Sequence, residues 1–164
     1  MSASALPPSP YKGLMPYSEA DARFFFGRDT DRDIIIANLT AARLTLLYGP
    51  SGVGKSSVLR AGVRHALVKE AAVSLAQYGA PEMAVVYFNN WRDDPLPGLI
   101  GAVEAAAREA LTGFNVTPPT AANFVEALAG WSDVVEGPLL IILDQFEEYF
   151  LYHSGNDGPG TFAD

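Results

Sequence analysis

The chain has 164 residues, of which 49% are hydrophobic and 18% charged, a composition typical of one folded domain. Its formal net charge of −8 argues against direct nucleic-acid binding and against binding to an anionic membrane, because both need clustered basic residues. Cysteine is absent, which excludes disulfides, thiolate zinc sites and cysteine nucleophiles. The sequence has neither a secretory signal pattern nor a membrane-length apolar run, so it predicts a cytoplasmic protein.

The beginning of the chain predicts a tail, an arm and a strand. Residues 1–10 contain three prolines and three serines and predict a flexible tail. Residues 11–22 predict an irregular arm, and the aromatic cluster at residues 24–26 is expected to pack the arm onto a core. A short helix is expected next. Residues 44–48 form an apolar run that ends at Gly49, which is the pattern of a buried strand stopped by a turn.

The remaining elements alternate between helices and apolar strands. Helices are expected over residues 56–69, 99–111 and 121–135 and from about residue 145, and strands over Ala84–Phe88 and Leu139–Leu143. The last strand shows no polar alternation, which indicates burial on both faces. Residues 154–164 predict a loop. This order of elements indicates an α/β fold with a mainly parallel sheet, and residues 11–153 are expected to form a partial domain.

A glycine-rich segment follows the first predicted strand and matches the phosphate-binding pattern G-x-x-x-x-G-K-[ST] without a mismatch. It consists of Gly49, Pro50, Ser51, Gly52, Val53, Gly54, Lys55 and Ser56. The glycines let successive backbone N–H groups face a phosphate, and the N-terminus of the next helix points at the same anion. Lys55 supplies a positive charge for the β- and γ-phosphates, and the Ser56 hydroxyl supplies a ligand for Mg²⁺. The position between a strand and a helix favours a phosphate loop over a chance glycine-rich turn.

An acidic cluster follows the last predicted strand. Asp144 stands at the carboxyl end of that strand, where parallel sheets bind ligands. A carboxylate there can hold water of a Mg²⁺ shell opposite Ser56, which is the Walker B role, and Glu147 or Glu148 can orient or deprotonate an attacking water. Alternatively, Asp144 caps the following helix and the glutamates are favourable first-turn charges. The phosphate loop favours the metal role for Asp144, and both interpretations of the glutamates stay open.

Three stretches of the sequence resemble one family. They are PYKGL at residues 10–14 with DARFFFGR at residues 21–28, the phosphate loop with LRAG at residues 59–62, and LDQFEEYF at residues 143–150. Together they resemble the novel STAND NTPases, which are signal-transduction ATPases with numerous domains. The resemblance extends over about residues 11–152. The arm and the DQFEE segment are more specific than the phosphate loop.

The resemblance implies a three-layer α/β/α P-loop NTPase fold of the additional-strand class, related to the AAA and NACHT ATPases, that binds ATP or ADP with Mg²⁺. It extends the nucleotide-binding loop to Ser57 and matches Glu147 to the second acid of a NACHT motif. Gln145 stands where many AAA relatives carry a catalytic glutamate, so the implied ATPase is slow. Three arm residues are placed near the adenine: Phe26, Gly27 and Arg28.

The resemblance also implies partners. Members are usually long bacterial proteins that join the NTPase to sensor repeats and effector modules, which implies signalling or defence and oligomerisation when complete. The later sensor strand, arginine finger and lid of the family do not follow the Walker B strand, so a fragment or a truncated copy is expected. A P-loop kinase or fast ATPase, and an interaction module without nucleotide turnover, stay open as alternatives. The family and the missing guanine motif favour ATP over GTP.

Overall fold

The computed structural model describes residues 11–153, so the predicted tail at residues 1–10 and the predicted loop at residues 154–164 lie outside the described residues. The chain divides into two compact units at the boundary between His65 and Ala66. In the described part, no helix combines the length and the hydropathy that crossing a membrane requires.

The first unit consists of the arm, one helix, the phosphate loop and the start of the helix after it. The arm contains a 3-10 helix (Glu19–Phe24), and α1 (Asp29–Ala41) follows it. After the phosphate loop, α2 (Lys55–Ser57) continues as a π-helical segment (Val58–Arg64). The 3-10 helix and α1 both pack against the π-helical segment. The arm therefore holds the helix that leads out of the phosphate loop.

Residues 44–48, predicted as a buried strand, do not form a strand. The side chains of Leu44, Leu46 and Tyr48 are 87%, 82% and 86% exposed. Within the described residues, the sheet contains two strands and neither pairs with this segment. The prediction is wrong for this structure because an apolar run becomes a strand only where a neighbouring strand accepts its backbone hydrogen bonds.

The second unit contains two strands and the helices around them. β1 (Ala84–Phe88) and β2 (Leu139–Leu143) occupy the predicted ranges. Before β1, α3 extends over His65–Tyr78. The other helices are α4 (Pro95–Ala110) and α5 (Phe124–Val135), which lie between the strands in sequence, and α6 (Glu147–Tyr152), which follows β2.

The two strands pair in parallel, with Ala84 opposite Leu139 and Phe88 opposite Leu143. Parallel neighbours need a crossover connection, which α4 and α5 provide. Alternate residues of β1 pack with these helices in one core: Ala84, Val86, Phe88, Leu99, Val103, Ala106, Ala107, Trp131 and Val135. The structure is thus a mixed helix and strand fold with a parallel sheet, compatible with the predicted α/β class.

Helix α4 begins at Pro95, before the predicted start at residue 99. The carboxylate of Asp94 accepts a hydrogen bond of 3.2 Å from the N–H of Leu96 and so caps the helix. A proline is tolerated in the first helical position because its missing N–H would have no helical partner there. Pro95 and Pro97 therefore lie in the first turn of the helix.

Candidate functional site

The phosphate loop has a backbone conformation that glycine adopts most easily. Gly52 and Gly54 have φ angles of 81° and 86°, in the left-handed region where a Cβ is strained. Gly54 is also the N-cap of α2 and provides no side chain to the N–H groups of the first turn. Residues 49–53 are exposed. The loop and the helix start therefore present backbone N–H groups suited to an anion.

Lys55 contacts the carbonyl groups of its own loop. Its Nζ donates to the carbonyl oxygens of Gly49 at 2.7 Å and Pro50 at 3.1 Å. A charged phosphate oxygen is a stronger acceptor for an ammonium group than a neutral carbonyl. Rotation of the flexible lysine stem can therefore transfer the ammonium group from the carbonyls to a phosphate, which fits the predicted role of Lys55.

Arg28 extends from the end of the arm to the phosphate loop. Its Nη1 donates to the carbonyl oxygen of Val53 at 3.2 Å, and its Nε donates to Asp31. Gly27 has a φ of 79°, and the ring of Phe26 is 79% exposed. The structure thus places Arg28 at the loop. The contact with adenine remains a prediction for all three arm residues.

Ser57 joins the phosphate loop to the arm. Its hydroxyl accepts a hydrogen bond of 3.1 Å from the backbone N–H of Tyr17. The Tyr17 ring packs against Phe25, with 5.8 Å between ring centroids. The side chain of Ser57 is therefore engaged within the protein, and its backbone N–H is the group left for the predicted phosphate contact.

An acidic side chain of the arm bridges two arginines of the π-helical segment. The carboxylate of Glu19 lies 3.2 Å from Arg60 and 3.3 Å from Arg64. Burial alone would raise the pKa of Glu19, but hydrogen bonds from its own backbone and from Arg60, with the charges of both arginines, lower it. The carboxylate is therefore ionised at neutral pH and ties the arm to the helix after the loop.

The second unit carries Asp144 at the end of β2, where its side chain is only 3% exposed. Its Oδ2 accepts a hydrogen bond of 2.6 Å from the Tyr87 hydroxyl, and its Oδ1 accepts one of 3.0 Å from the N–H of Gln145. Its carbonyl oxygen accepts a bond of 2.7 Å from the indole N–H of Trp91. A buried carboxylate needs such partners, because an unpaired buried charge is costly.

The two glutamates begin α6 and differ in their surroundings. Gln145 has a φ of 55°, so the chain turns there and α6 begins at Glu147 rather than near residue 145. The amide of Gln145 donates to Glu148 at 3.1 Å. Glu147 is exposed. The structure therefore leaves Glu147 the more accessible carboxylate, and the catalytic role of either glutamate remains a prediction.

The donor atoms at Ser56 and Asp144 have the chemistry that Mg²⁺ requires, since both offer hard oxygen ligands. Residues 11–153 contain no group of three or more His, Asp or Glu side chains placed to hold a metal ion. Magnesium that takes most of its ligands from phosphate and water needs only one or two protein oxygens. Ser56 belongs to the first unit and Asp144 to the second, and their joint role remains a prediction.

A comparison with protein families accounts for the arm, the phosphate loop and the acidic end of β2 together. The model of the family described as Novel STAND NTPase 1 matches residues 10–163. The chain belongs to the novel STAND NTPase family. The resemblance inferred from the motifs is confirmed, and this STAND chain carries a nucleotide-binding domain of the NTPase type. No curated protein and no solved structure matches it.

Sequence reasoning missed the residues that hold the site of this STAND domain in place. Tyr87 lies within an apolar strand, and nothing in its local pattern connects it with Asp144. Nothing in the sequence connects Trp91 with Asp144 either, and the backbone N–H of Tyr17 carries no sequence signal at all. An assumed parallel register between β1 and β2 would have paired Tyr87 with Ile142. Because Asp144 lies two residues after Ile142 on the same face, this pairing would have placed Tyr87 near Asp144.

Proposed function

We propose that this STAND domain is a three-layer α/β/α P-loop NTPase of the additional-strand class that binds ATP or ADP with Mg²⁺. It acts as a slowly hydrolysing regulatory switch of a bacterial signalling or defence protein. The conformation of the phosphate loop supports this proposal most directly. Gly52 and Gly54 are left-handed, the helix start has no side-chain cap, and Lys55 lies on the loop. Each of these features suits an anion.

The proposal gives each residue of the loop a task. Backbone N–H groups of residues 52–57 bind phosphate oxygens, and Lys55 moves from the loop carbonyls to the β- and γ-phosphates. Ser56 and Asp144 hold the ion and the water around it. Bound Mg²⁺ would supply positive charge that offsets the negative charge of the phosphates. Arg28, Phe26 and Gly27 contact the base side of the nucleotide.

Hydrolysis in this proposal uses Glu147 as the base. A water oxygen bonds to the γ-phosphorus, the bond to the β–γ bridging oxygen breaks, and ADP leaves with that electron pair. Glu147 accepts the water proton and releases it to solvent. The reaction is slow because Gln145, an amide, cannot accept a proton, and Glu148 is engaged by Gln145. Glu147 is exposed, so water solvates its carboxylate and weakens its action.

The switch acts through the arm. Arg28 bonds to Val53 within the loop, and Tyr17 bonds to Ser57 at the start of the following helix. A phosphate that reorganises the loop carbonyls changes both contacts, so occupancy of the site biases the position of the arm. The signal and the effector lie in further domains.

One observation favours the second candidate, an interaction module without nucleotide turnover. Leu44, Leu46 and Tyr48 expose apolar side chains immediately before the phosphate loop. An exposed apolar segment outside the sheet is suited to pairing with a strand of another polypeptide. Under this reading, the chain binds a protein partner and the loop has no nucleotide role.

Calorimetry with Mg-ATP and Mg-ADP separates the two candidates. Wild type should bind with micromolar affinity, Lys55→Ala should show no measurable binding, and Lys69→Ala, which removes an exposed lysine from α3, should bind like wild type. Folded wild-type protein that binds neither nucleotide contradicts the proposed function and favours the interaction module. Equal loss in both lysine variants would show that charge in general, rather than the loop, governs binding.

A further inference from the structure

Tyr87 and Asp144 meet across the two strands of the sheet. In the parallel register, Tyr87 lies opposite Ile142, and Asp144 follows Ile142 by two residues. Side chains two residues apart on a strand share one face, and directly paired residues of neighbouring strands do so as well. The phenol therefore reaches the carboxylate along the diagonal, and its hydroxyl donates to Oδ2 at 2.6 Å.

The rest of Asp144 is held by the backbone and by one indole. The Asp144 N–H donates to the carbonyl of Phe88 at 2.9 Å, and the Trp91 indole N–H donates to the Asp144 carbonyl at 2.7 Å. These bonds fix the main chain and leave the side-chain torsions free. The carboxylate plane is set by two contacts, the N–H of Gln145 on Oδ1 and the hydroxyl of Tyr87 on Oδ2.

The carboxylate keeps acceptor capacity for a further partner. An ionised carboxylate offers about four lone-pair positions, and the bonds from Gln145 and Tyr87 account for one on each oxygen. Without the phenol, the carboxylate is held on one oxygen only and rotates about its last torsion. The direction of its remaining lone pairs would then vary. Tyr87 thus controls where a buried, charged acceptor points.

We propose that Tyr87 is a positioning residue that aims the Asp144 carboxylate at the hydration shell of Mg²⁺, an inference that rests on the proposed function. Tyr87 acts through Asp144 and does not touch the nucleotide. Partners that orient a metal-binding side chain typically change metal affinity about 10- to 100-fold when they are removed. A phenol to carboxylate bond belongs to this class of contact, because its acceptor is ionised and the bond is correspondingly strong.

The test is the Mg²⁺ dependence of ATP binding in Tyr87→Phe, which removes one oxygen and keeps the ring. ATP affinity is measured by calorimetry over a series of Mg²⁺ concentrations and in EDTA. The Mg²⁺ concentration that gives half of the affinity gain should rise about tenfold in Tyr87→Phe, while affinity in EDTA stays at the wild-type value. Tyr78→Phe, which removes the phenol of a tyrosine 77% exposed at the end of α3, should not differ from wild type.

The pair Asp144→Asn and Tyr87→Phe/Asp144→Asn completes the experiment. Asp144→Asn should lose the gain in ATP affinity that Mg²⁺ gives. Adding Tyr87→Phe should change nothing further, because Tyr87 acts only through the carboxylate that this variant has already lost. A Tyr87→Phe protein with the wild-type Mg²⁺ dependence, with a stronger Mg²⁺ gain, or with reduced affinity in EDTA as well overturns this inference alone. Wild type that binds no nucleotide under either condition overturns the proposed function and this inference with it.

Discussion

The backbone N–H of Tyr17 donates a hydrogen bond of 3.1 Å to the hydroxyl of Ser57. Ser57 directly follows the serine that is expected to ligate Mg²⁺, so two adjacent hydroxyls on the same helical turn have different tasks. We propose that the Ser56 hydroxyl binds the ion, whereas the Ser57 hydroxyl bonds to the arm. A family pattern that lists both as nucleotide-binding residues does not distinguish them, but their alanine variants can.

Ser56→Ala and Ser57→Ala should therefore fail in different assays. Ser56→Ala should lose the gain in ATP affinity that Mg²⁺ gives and should keep wild-type stability. Ser57→Ala should keep that gain and lose about 1 kcal/mol of unfolding free energy, because the half-buried Tyr17 N–H loses its acceptor. Calorimetry with and without Mg²⁺ and urea denaturation measure the two effects. The same Mg²⁺ defect in both variants would contradict this division of tasks.

The ion pairs of Glu19 with Arg60 and Arg64 predict that the stability of the domain depends on salt. Glu19→Gln keeps the shape of the side chain but removes the negative charge that lies beside Arg60 and Arg64. At low salt, the change should lower the unfolding free energy by about 1 kcal/mol, which is the upper end of the range for ion pairs that are partly exposed. At high salt the loss should be smaller, because salt screens the interaction. Urea denaturation at two NaCl concentrations measures it.

Glu70→Gln serves as the control for the Glu19 variant, because Glu70 is an exposed glutamate of α3 and its replacement causes the same change in net charge. It should leave stability within about 0.5 kcal/mol of wild type. An equal loss of stability in both variants, or a loss in Glu19→Gln that does not change with salt, would show that the arm is not held electrostatically.

The sequence was sufficient for β1, β2 and the glycine-rich turn at residues 49–54, because each depends on local composition. An unbroken apolar run and a glycine pattern are both read without knowledge of the neighbours. Residues 44–48 show the limit of this approach, since their composition is that of a strand and only a pairing partner would make them one. The apolar spacing predicted a start of α4 at residue 99, because this spacing does not show that Asp94 caps a helix whose first residue is Pro95.

The contacts around Asp144 could not be predicted from the sequence, for a different reason. The Tyr87 hydroxyl and the Trp91 indole reach Asp144 only through the register of two strands and the loop after β1. A single sequence specifies the register only after both strands and their direction are known. The motif therefore identified Asp144, and the tertiary structure identified the residues that contact its side chain and its backbone.

The lowered pKa of Asp21 predicts that the stability of the domain depends on pH. Its side chain is buried and accepts bonds from Lys12 and Ser18, and the side-chain hydrogen bond from Lys12, followed by those from Ser18, lowers the pKa of Asp21 to about 2. The pKa in the unfolded chain is about 3.9. A lowered folded pKa stabilises the folded state above the unfolded value, and this contribution is lost as the pH falls from about 4 to about 2.

Asp21→Asn should therefore lose less stability than wild type between pH 5 and pH 2.5 and should be less stable than wild type at pH 7. The matched variant Asp93→Asn, at an exposed aspartate in the loop after β1, should follow the wild-type pH profile. Urea midpoints across this pH range measure both. Parallel profiles for wild type and Asp21→Asn would show that the Lys12 and Asp21 contact does not contribute to folding.

The end of α5 offers a test of backbone strain away from the nucleotide site. Glu136 follows the helix with a φ of 56°, and the N–H of Gly137 reaches back to the carbonyl of Ser132 at 3.2 Å. Helices commonly end this way, but the left-handed residue is usually glycine, because a Cβ costs about 1 kcal/mol in this conformation. Glu136 is exposed, so its replacement removes no packing.

Glu136→Gly should therefore raise the unfolding free energy by about 0.5–1 kcal/mol relative to Glu136→Ala. The alanine variant is the control, since it removes the same charge and keeps the Cβ. Urea denaturation of the two variants under identical conditions gives the difference, and nucleotide affinity should be equal in both. If the alanine variant is as stable as the glycine variant, the left-handed backbone at the end of α5 carries no strain in solution, and the turn is held by its hydrogen bonds alone.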